Sequence, residues 1–197
     1  MNQRHVQQKK GINMNALEYH YQSIFCRDMI LKMNYSNTFE CIKFSNIQVN
    51  FTSKYVVFEK KQVLPALLAL TLITGQRPKT IRAKKSVASF KLKAQNLLGA
   101  SVTLRHKKMF AFLQHLSQII FPKLKDFQSF QLKKEHKGAH VSIGLQSFLL
   151  FPEVEKKVEI FEHLSGCALN FKVRGAQTSR KDIHLLLSGL RFPCVLI

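Results

Sequence analysis

The chain is expected to fold as an α+β domain, a mainly antiparallel sheet with helices packed on one face. Three features predict this. Short stretches alternate apolar and polar residues with the period of a half-buried strand, as Ile47, Val49 and Phe51 do against Gln48 and Asn50. Other stretches repeat apolar residues at helical spacing; the best is Met109, Phe112, Leu113, Leu116, Ile119 and Ile120. One face of the strands is polar, so helices cover the other.

Residues 1–13 read as a disordered basic tail and 14–197 as a single domain. A helix is predicted over 14–33, with Leu17, Tyr21, Ile24 and Phe25 on one face, and a strand over 41–51. A helix over 61–74 carries Leu64, Leu67, Leu68 and Leu72. Pro65 fits only its first turn, and Gly75 is placed to take the left-handed cap. Pro78 blocks further helix, 79–83 reads as a short strand, and 84–96 reads as a long loop. Ala100, Val102 and Leu104 alternate as a strand. The helix over 107–120 is ended by Pro122, and a Lys-rich loop covers 123–138. Val141, Ile143 and Leu145 form a strand, as do Leu169, Phe171 and Val173. Ser179 caps the last helix, with Asp182 completing a capping-box variant. Ile183, Leu186, Leu187 and Leu190 form its buried face, and Pro193 closes the fold.

The 197 residues include 46% hydrophobic side chains, enough to bury a core. Against 11 Asp+Glu stand 31 Lys+Arg, a formal charge of +20. Such a charge repels itself unless a polyanion neutralises it, and nucleic acid is the usual one. No apolar run is long enough to span a bilayer; the stretch from Val63 to Ile73 is broken by Pro65 and Thr71 and reads as a core helix. The start of the chain, with Arg4, Lys9 and Lys10, carries no secretory signal and reads as a tail rather than an organellar address. Cys26, Cys41, Cys167 and Cys194 are too scattered for a metal pair and read as reduced, mostly buried thiols. His136 and His140 lack a third ligand, so neither a metal nor a cofactor is expected.

Catalytic signatures are missing as well. Gly75 and Gly99 stand alone, without a phosphate-cradling loop, and there is no Gly-x-Ser-x-Gly elbow. The expected role is RNA binding without turnover, not enzymatic. A free RNA-binding factor, such as an assembly chaperone, is the rival binding module.

The charge is unevenly placed. From Lys60 to Lys125 there is no Asp or Glu, and the densest part holds Arg77, Lys79, Arg82, Lys84, Lys85, Lys91 and Lys93. With no local acid to pair with, these residues point to phosphate contact. Phe90, inside this basic loop, has two readings: a stacking platform for a base or sugar, or an anchor for the loop. Glu153, Glu155, Glu159 and Glu162 cluster elsewhere and read as a solvated turn and helix.

The run Ile73-Thr74-Gly75-Gln76-Arg77-Pro78, followed by Ala83-Lys84-Lys85-Ser86-Val87-Ala88 and Phe90-Lys91, resembles the bacterial-type large-subunit ribosomal protein five family. The likeness continues through Gly99, Val102-Thr103-Leu104-Arg105, Met109, Pro122 and Asp126-Phe127. It extends to Gly138, Ser142-Ile143-Gly144, Phe151-Pro152-Glu153 and Phe192-Pro193, with Asn34-Tyr35, Asn50 and Lys60-Lys61 upstream. It covers about residues 15 to 194.

The resemblance implies a place in the central protuberance of the large subunit, beside the other proteins there. It implies binding of 5S rRNA, alongside the large-subunit rRNA, through the exposed sheet face. The basic loop is implied to reach the elbow of P-site tRNA, and another surface to meet a small-subunit head protein. Carried over, Asn50 is a candidate 5S rRNA contact, helped by Lys43. Lys84, Lys85, Ser86, Lys91 and Lys93 are candidates for tRNA or rRNA phosphates, and Arg77, Lys79, Arg82, Phe90 and Arg105 complete the expected RNA-binding set.

Departures from the family pattern are specific. Phe51, Thr52 and Ser53 stand where the family has glycines, Ser89 and His106 each replace a Gly, Asn96-Leu97-Leu98 replaces a Gly/Pro turn, and Gln128 replaces an Arg. This drift, with 16 Phe and no Trp, and the similarity of Glu159-Ile160-Phe161-Glu162-His163 to a plant and protist branch, point to a mitochondrial ribosome.

Overall fold

The computed structural model describes residues 15–124, 130–132, 140–175 and 179–196. The N-terminal helix runs through α1 (Ala16–His20), a π turn (Tyr21–Phe25) and α2 (Cys26–Met33), and Asn34 ends it in the left-handed conformation. Then come β1 (Lys43–Thr52), α3 (Lys54–Phe58), a short 3-10 turn (Lys60–Gln62) and α4 (Val63–Thr74). Gly75, at φ 59°, caps α4 through its N–H to Thr71 O. β2 (Lys79–Arg82) and β3 (Leu97–Leu104) follow. The next helix comprises α5 (His106–His115), a π turn (Leu116–Ile120) and α6 (Phe121–Lys123). β4 (Phe130–Leu132), β5 (His140–Leu145), α7 (Pro152–Glu155) and α8 (Val158–Phe161) lead to β6 (Cys167–Arg174), α9 (Arg180–Gly189) and β7 (Cys194–Leu196).

Five strands form one antiparallel sheet in the order β2-β3-β1-β6-β5. Alternation explains which face is buried. Ile47, Val49 and Phe51 of β1, Ala100, Val102 and Leu104 of β3, Val141, Ile143 and Leu145 of β5, and Leu169, Phe171 and Val173 of β6 all point into the core. The helices cover that side. Phenylalanine fills the layer between: Phe51 meets Phe148 at 5.5 Å between ring centroids, and Phe192 meets Phe121 at 5.2 Å and Phe171 at 6.1 Å. Each buried ring removes enough apolar surface from water to be worth about 1.5–3 kcal/mol. Tyr21 ties the N-terminal helix to this core; its hydroxyl donates to Ile42 O at 2.9 Å and its ring lies 5.6 Å from that of Phe110.

The expected α+β architecture, with helices on one face of an antiparallel sheet, is what the structure has. Ser179 and Asp182 form the capping box: the Ser179 hydroxyl accepts from the N–H groups at the helix start, and the Asp182 carboxylate accepts from Ser179 N at 3.0 Å. Four details differ from expectation. Ile24 and Ile119 are exposed, because each lies in a π turn, which holds one residue more than an α turn and shifts the stripe. Pro122 is the penultimate residue of its helix, which runs on to Lys123 before Leu124 turns extended. The region 123–138 contains β4, which pairs in parallel with β7 just beyond Pro193. The Val63–Ile73 stretch is only half core: α4 buries Val63, Ala66, Ala69 and Leu70 but leaves Leu64, Leu68 and Leu72 in solvent. Residues 1–13, His136, Gly138, Asp126-Phe127 and Gln128 lie outside the described residues.

Candidate nucleic-acid interface

The open face of the sheet follows from the register. One row across it reads Lys79, Ser101, Asn50, Ala168 and Gly144. The next reads Thr103, Gln48, Asn170 and Ser142, and a third reads Asn46, Lys172 and His140. The five strands contain no Asp or Glu at all. The middle of the face is therefore neutral, made of amides, hydroxyls and small side chains, with cations at its margins. The small residues beside Asn50 keep the face low, so a nucleic-acid backbone can approach it. Amide and hydroxyl groups suit the hydroxyl and base-edge groups of an RNA minor groove.

Asn50 is the most pointed feature of this surface. Its Oδ1 is buried and has no hydrogen-bond partner among the described residues. A buried polar atom left unsatisfied costs roughly 1–3 kcal/mol, which a donor from a partner removes. The neighbouring Phe51, which stands where the family has a glycine, points the other way into the core, so it leaves the polar face uncovered. Gln76, directly after the Gly75 cap, donates from Nε2 to Thr103 O at 3.2 Å and so ties the α4 end to the row containing Gln48. Gln48, Gln76, Ser101, Thr103, Asn170 and Lys172 all belong to this surface and were not singled out as site residues from sequence. The polar alternation of the strands was the signal for the strand residues. For Gln76 the signal was its place beside a helix-capping glycine.

The expected site residues fall into separate groups. Lys79 shares a row with Asn50, two strands away at about 10 Å. Lys43 is not a neighbour of Asn50: it lies seven positions back along β1, about 23 Å away. Lys43 pairs in register with Arg174, next to Lys172, and its ammonium stands 5.8 Å from the centre of the fully exposed Phe39 ring. Arg105 is exposed at the start of α5, and Arg77 and Arg82 are exposed at either end of β2.

The basic loop is more ordered than a plain connection. Val87 and Leu92 exchange backbone hydrogen bonds at 3.0 and 3.1 Å, closing a small hairpin over a 3-10 turn at Ala88–Phe90. Gln95 N bonds Ala83 O and Ala83 N bonds Asn96 O, both at 2.9 Å, which fixes the base of the loop. Lys84, Lys85, Ser86, Lys91 and Lys93 are all exposed. Phe90 is 71% exposed at the tip, so it does not anchor the loop to the body. Lys123 pairs with Glu155 at 2.8 Å, and the His115 ring lies 3.3 Å from the Glu153 carboxylate; neither contact involves a residue of the sheet face or the loop. No group of residues suited to holding a metal occurs among the described residues.

Comparison with known families and proteins adds the decisive observation. Residues 37–93 match ribosomal protein L5, and residues 97–194 match the C-terminus of the same ribosomal protein family. The chain belongs to the ribosomal protein L5 family. The large ribosomal subunit protein uL5m of Reclinomonas americana is 38% identical over 180 residues, covering 91% of this chain and 98% of that protein. The uL5m protein of Prototheca wickerhamii is 33% identical over 191 residues, covering 90% and 83%. The uL5 protein of Buchnera aphidicola subsp. Baizongia pistaciae is 30% identical over 180 residues, covering 91% and 98%.

Membership in the L5 family bears out the expected structural constituent of the large ribosomal subunit, not an enzyme. The two matched stretches meet in one sheet, since β1 from the first pairs with both β3 and β6 from the second. Gly99 lies at that seam, where the strands leave no room for a side chain. A Cβ there would collide with the backbone carbonyl of Phe51 on the neighbouring strand.

Proposed function

We propose that the chain docks 5S rRNA on the open sheet face, in the central protuberance of the large subunit of a mitochondrial ribosome. The observation that carries this is the acid-free, five-stranded polar face, with the unpartnered Asn50 Oδ1 near its centre and cations at its margins. Recognition is by shape: amides and hydroxyls meet hydroxyls and base edges, while the marginal lysines and arginines meet phosphates without reading sequence. Lys43, Lys172 and Arg174 serve one end of the RNA; Lys79 and Arg82 serve the β2 edge. Contact with the large-subunit rRNA falls to Arg105 and its neighbourhood. The mitochondrial assignment is supported by the names of the Reclinomonas and Prototheca relatives.

The loop over 84–96 reaches the elbow of P-site tRNA. Lys84, Lys85, Lys91 and Lys93 act there as flexible point charges, and Phe90 offers a face for stacking. A small-subunit head protein meets another surface across the subunit interface, and residues 14–197 work as one unit because a single sheet joins both halves.

The test is to purify the native particle and sequence the RNA crosslinked to the protein. Crosslinks from Asn50 and its row to 5S rRNA are expected. Crosslinks confined to the large rRNA or to protein neighbours would reject 5S docking on this face while leaving the subunit assignment intact.

A further inference from the structure

Helix α4 leaves a stripe of leucines bare. Leu64, Leu68 and Leu72 are 66%, 43% and 42% exposed, one helical turn apart along one side. The other side of the helix is packed against β3 and the α7–α8 segment, so these leucines are what remains after the core is closed. Beside the stripe lies an open groove of about 570 Å³, lined by Leu67, Leu68, Thr71, Arg77, Lys79 and Thr80. It opens on the free side of the sheet, since β2 is an edge strand.

We propose that this groove and stripe dock a protein segment with an apolar face flanked by carboxylates, supplied by another protein of the large subunit. RNA is a poor occupant of the stripe, because leucine offers neither a hydrogen bond nor a π face for a base. The charge on the rim selects the partner. Arg77 and Lys79 are exposed, and no Asp or Glu occurs between Lys60 and Lys125. A second copy of the chain would bring the same cations toward one another. The stretches outside the described residues, such as 1–14 with Arg4, Lys9 and Lys10, are neutral or basic in sequence and complement the rim no better. A foreign segment with Asp or Glu beside apolar residues satisfies both halves of the surface, covering the leucines and pairing the cations. Lys79 is common to this groove and to the polar row of the sheet, so the two surfaces adjoin and overlap at that one residue.

The experiment places a photo-crosslinking residue at Leu64, and in a second variant at Leu72, in the full chain assembled into native large subunits. The crosslinked partner is then identified by mass spectrometry of its peptide. The expected result is a peptide of one other subunit protein carrying apolar residues and at least one Asp or Glu. Adding Leu68→Ser is expected to lower its yield several-fold while the RNA content of the particle is unchanged. Crosslinks to RNA, to lipid, to a second copy or to this chain itself overturn the proposal, and so does no crosslink at either position. Because both probes are first read with Leu68 intact, an assembly defect in the Leu68→Ser particle does not obscure the answer.

Discussion

At the scale of single residues, three positions carry a cost or a bias that an experiment can read. His106 stands where the L5 family has a glycine, and it keeps the backbone that glycine allows, with φ at 51°. A side chain in that conformation costs roughly 1–2 kcal/mol, and its exposed ring makes no hydrogen bond among the described residues that would offset it. His106→Gly is expected to stabilise the protein by about 1 kcal/mol, less the entropy that glycine loses on folding, measured as a rise in the urea midpoint. A fall would mean that the imidazole makes a contact worth more than the strain. Asn50→Ala should do the opposite of a core change. Removing a buried oxygen that has no partner among the described residues relieves its cost and raises stability by about 1 kcal/mol, while affinity for 5S rRNA falls about tenfold, the value of one hydrogen bond to a partner. Unchanged affinity would remove Asn50 from the interface. Cys167 is buried between sheet and helices, and burial pushes its thiol up to about 12 from an ordinary 9.0. The unfolded chain ionises this thiol near pH 9 while the folded chain does not. Its protonated burial therefore costs nothing below pH 9, and stability falls as pH rises from there toward 12, by up to about 4 kcal/mol. Cys167→Ala should flatten that alkaline limb in pH-resolved denaturation; an unchanged slope would show that the thiol ionises in place. Tyr21, whose phenol is also held high by burial, contributes to the same limb in both proteins.

At the scale of elements, the structure separates what the residue pattern records from what it does not. Alternation in β1, β3, β5 and β6 was legible because each strand has one buried and one wet face, and that contrast is written into every second residue. The same alternation put Asn50 on the polar face, while its choice as a candidate contact came from the family resemblance. The π turns at Tyr21–Phe25 and Leu116–Ile120 were not legible, since nothing in the composition of those turns announces an extra residue. Helix α4 was misjudged because it is apolar all round, so periodicity could not tell its core side from its exposed stripe. The β4–β7 pair joins two three-residue strands far apart in sequence, with no local signal for either. The distance between Lys43 and Asn50 was not legible, since seven residues are close in sequence but span most of a strand. The basic loop was legible as a charge run, and its hairpin gives that run a defined direction. Lys84 and Lys85 sit at its base, outside the polar rows of the sheet. Lys84→Ala together with Lys85→Ala is expected to weaken P-site tRNA binding by the assembled ribosome more than it weakens 5S rRNA retention. Equal loss of both would place the loop on the 5S rRNA instead.

At the scale of the whole molecule, a formal charge of +20 is spread over the margins of the sheet, the basic loop and the start of α5. The strands of the sheet and the basic loop contain no Asp or Glu, so their cations have no acid of their own to neutralise them. This placement makes a quantitative claim about salt. If the sheet face alone holds the 5S rRNA, the phosphates it neutralises are met by Lys43, Lys79, Arg82, Lys172 and Arg174, all exposed. Counterion release then gives the logarithm of affinity a slope of roughly −4 to −5 against the logarithm of salt concentration, at about −0.9 per phosphate. If the loop docks on the same RNA, Lys84, Lys85, Lys91 and Lys93 join the count, and the slope steepens to about −8. Titrating purified protein against 5S rRNA across a salt series distinguishes the two. The decisive comparison is the variant with all four loop lysines changed to Ala. A slope equal to that of the unaltered protein assigns the loop to a different partner, as proposed. A slope shallower by about 3 or more returns the loop to the 5S interface and leaves the tRNA contact without a basis.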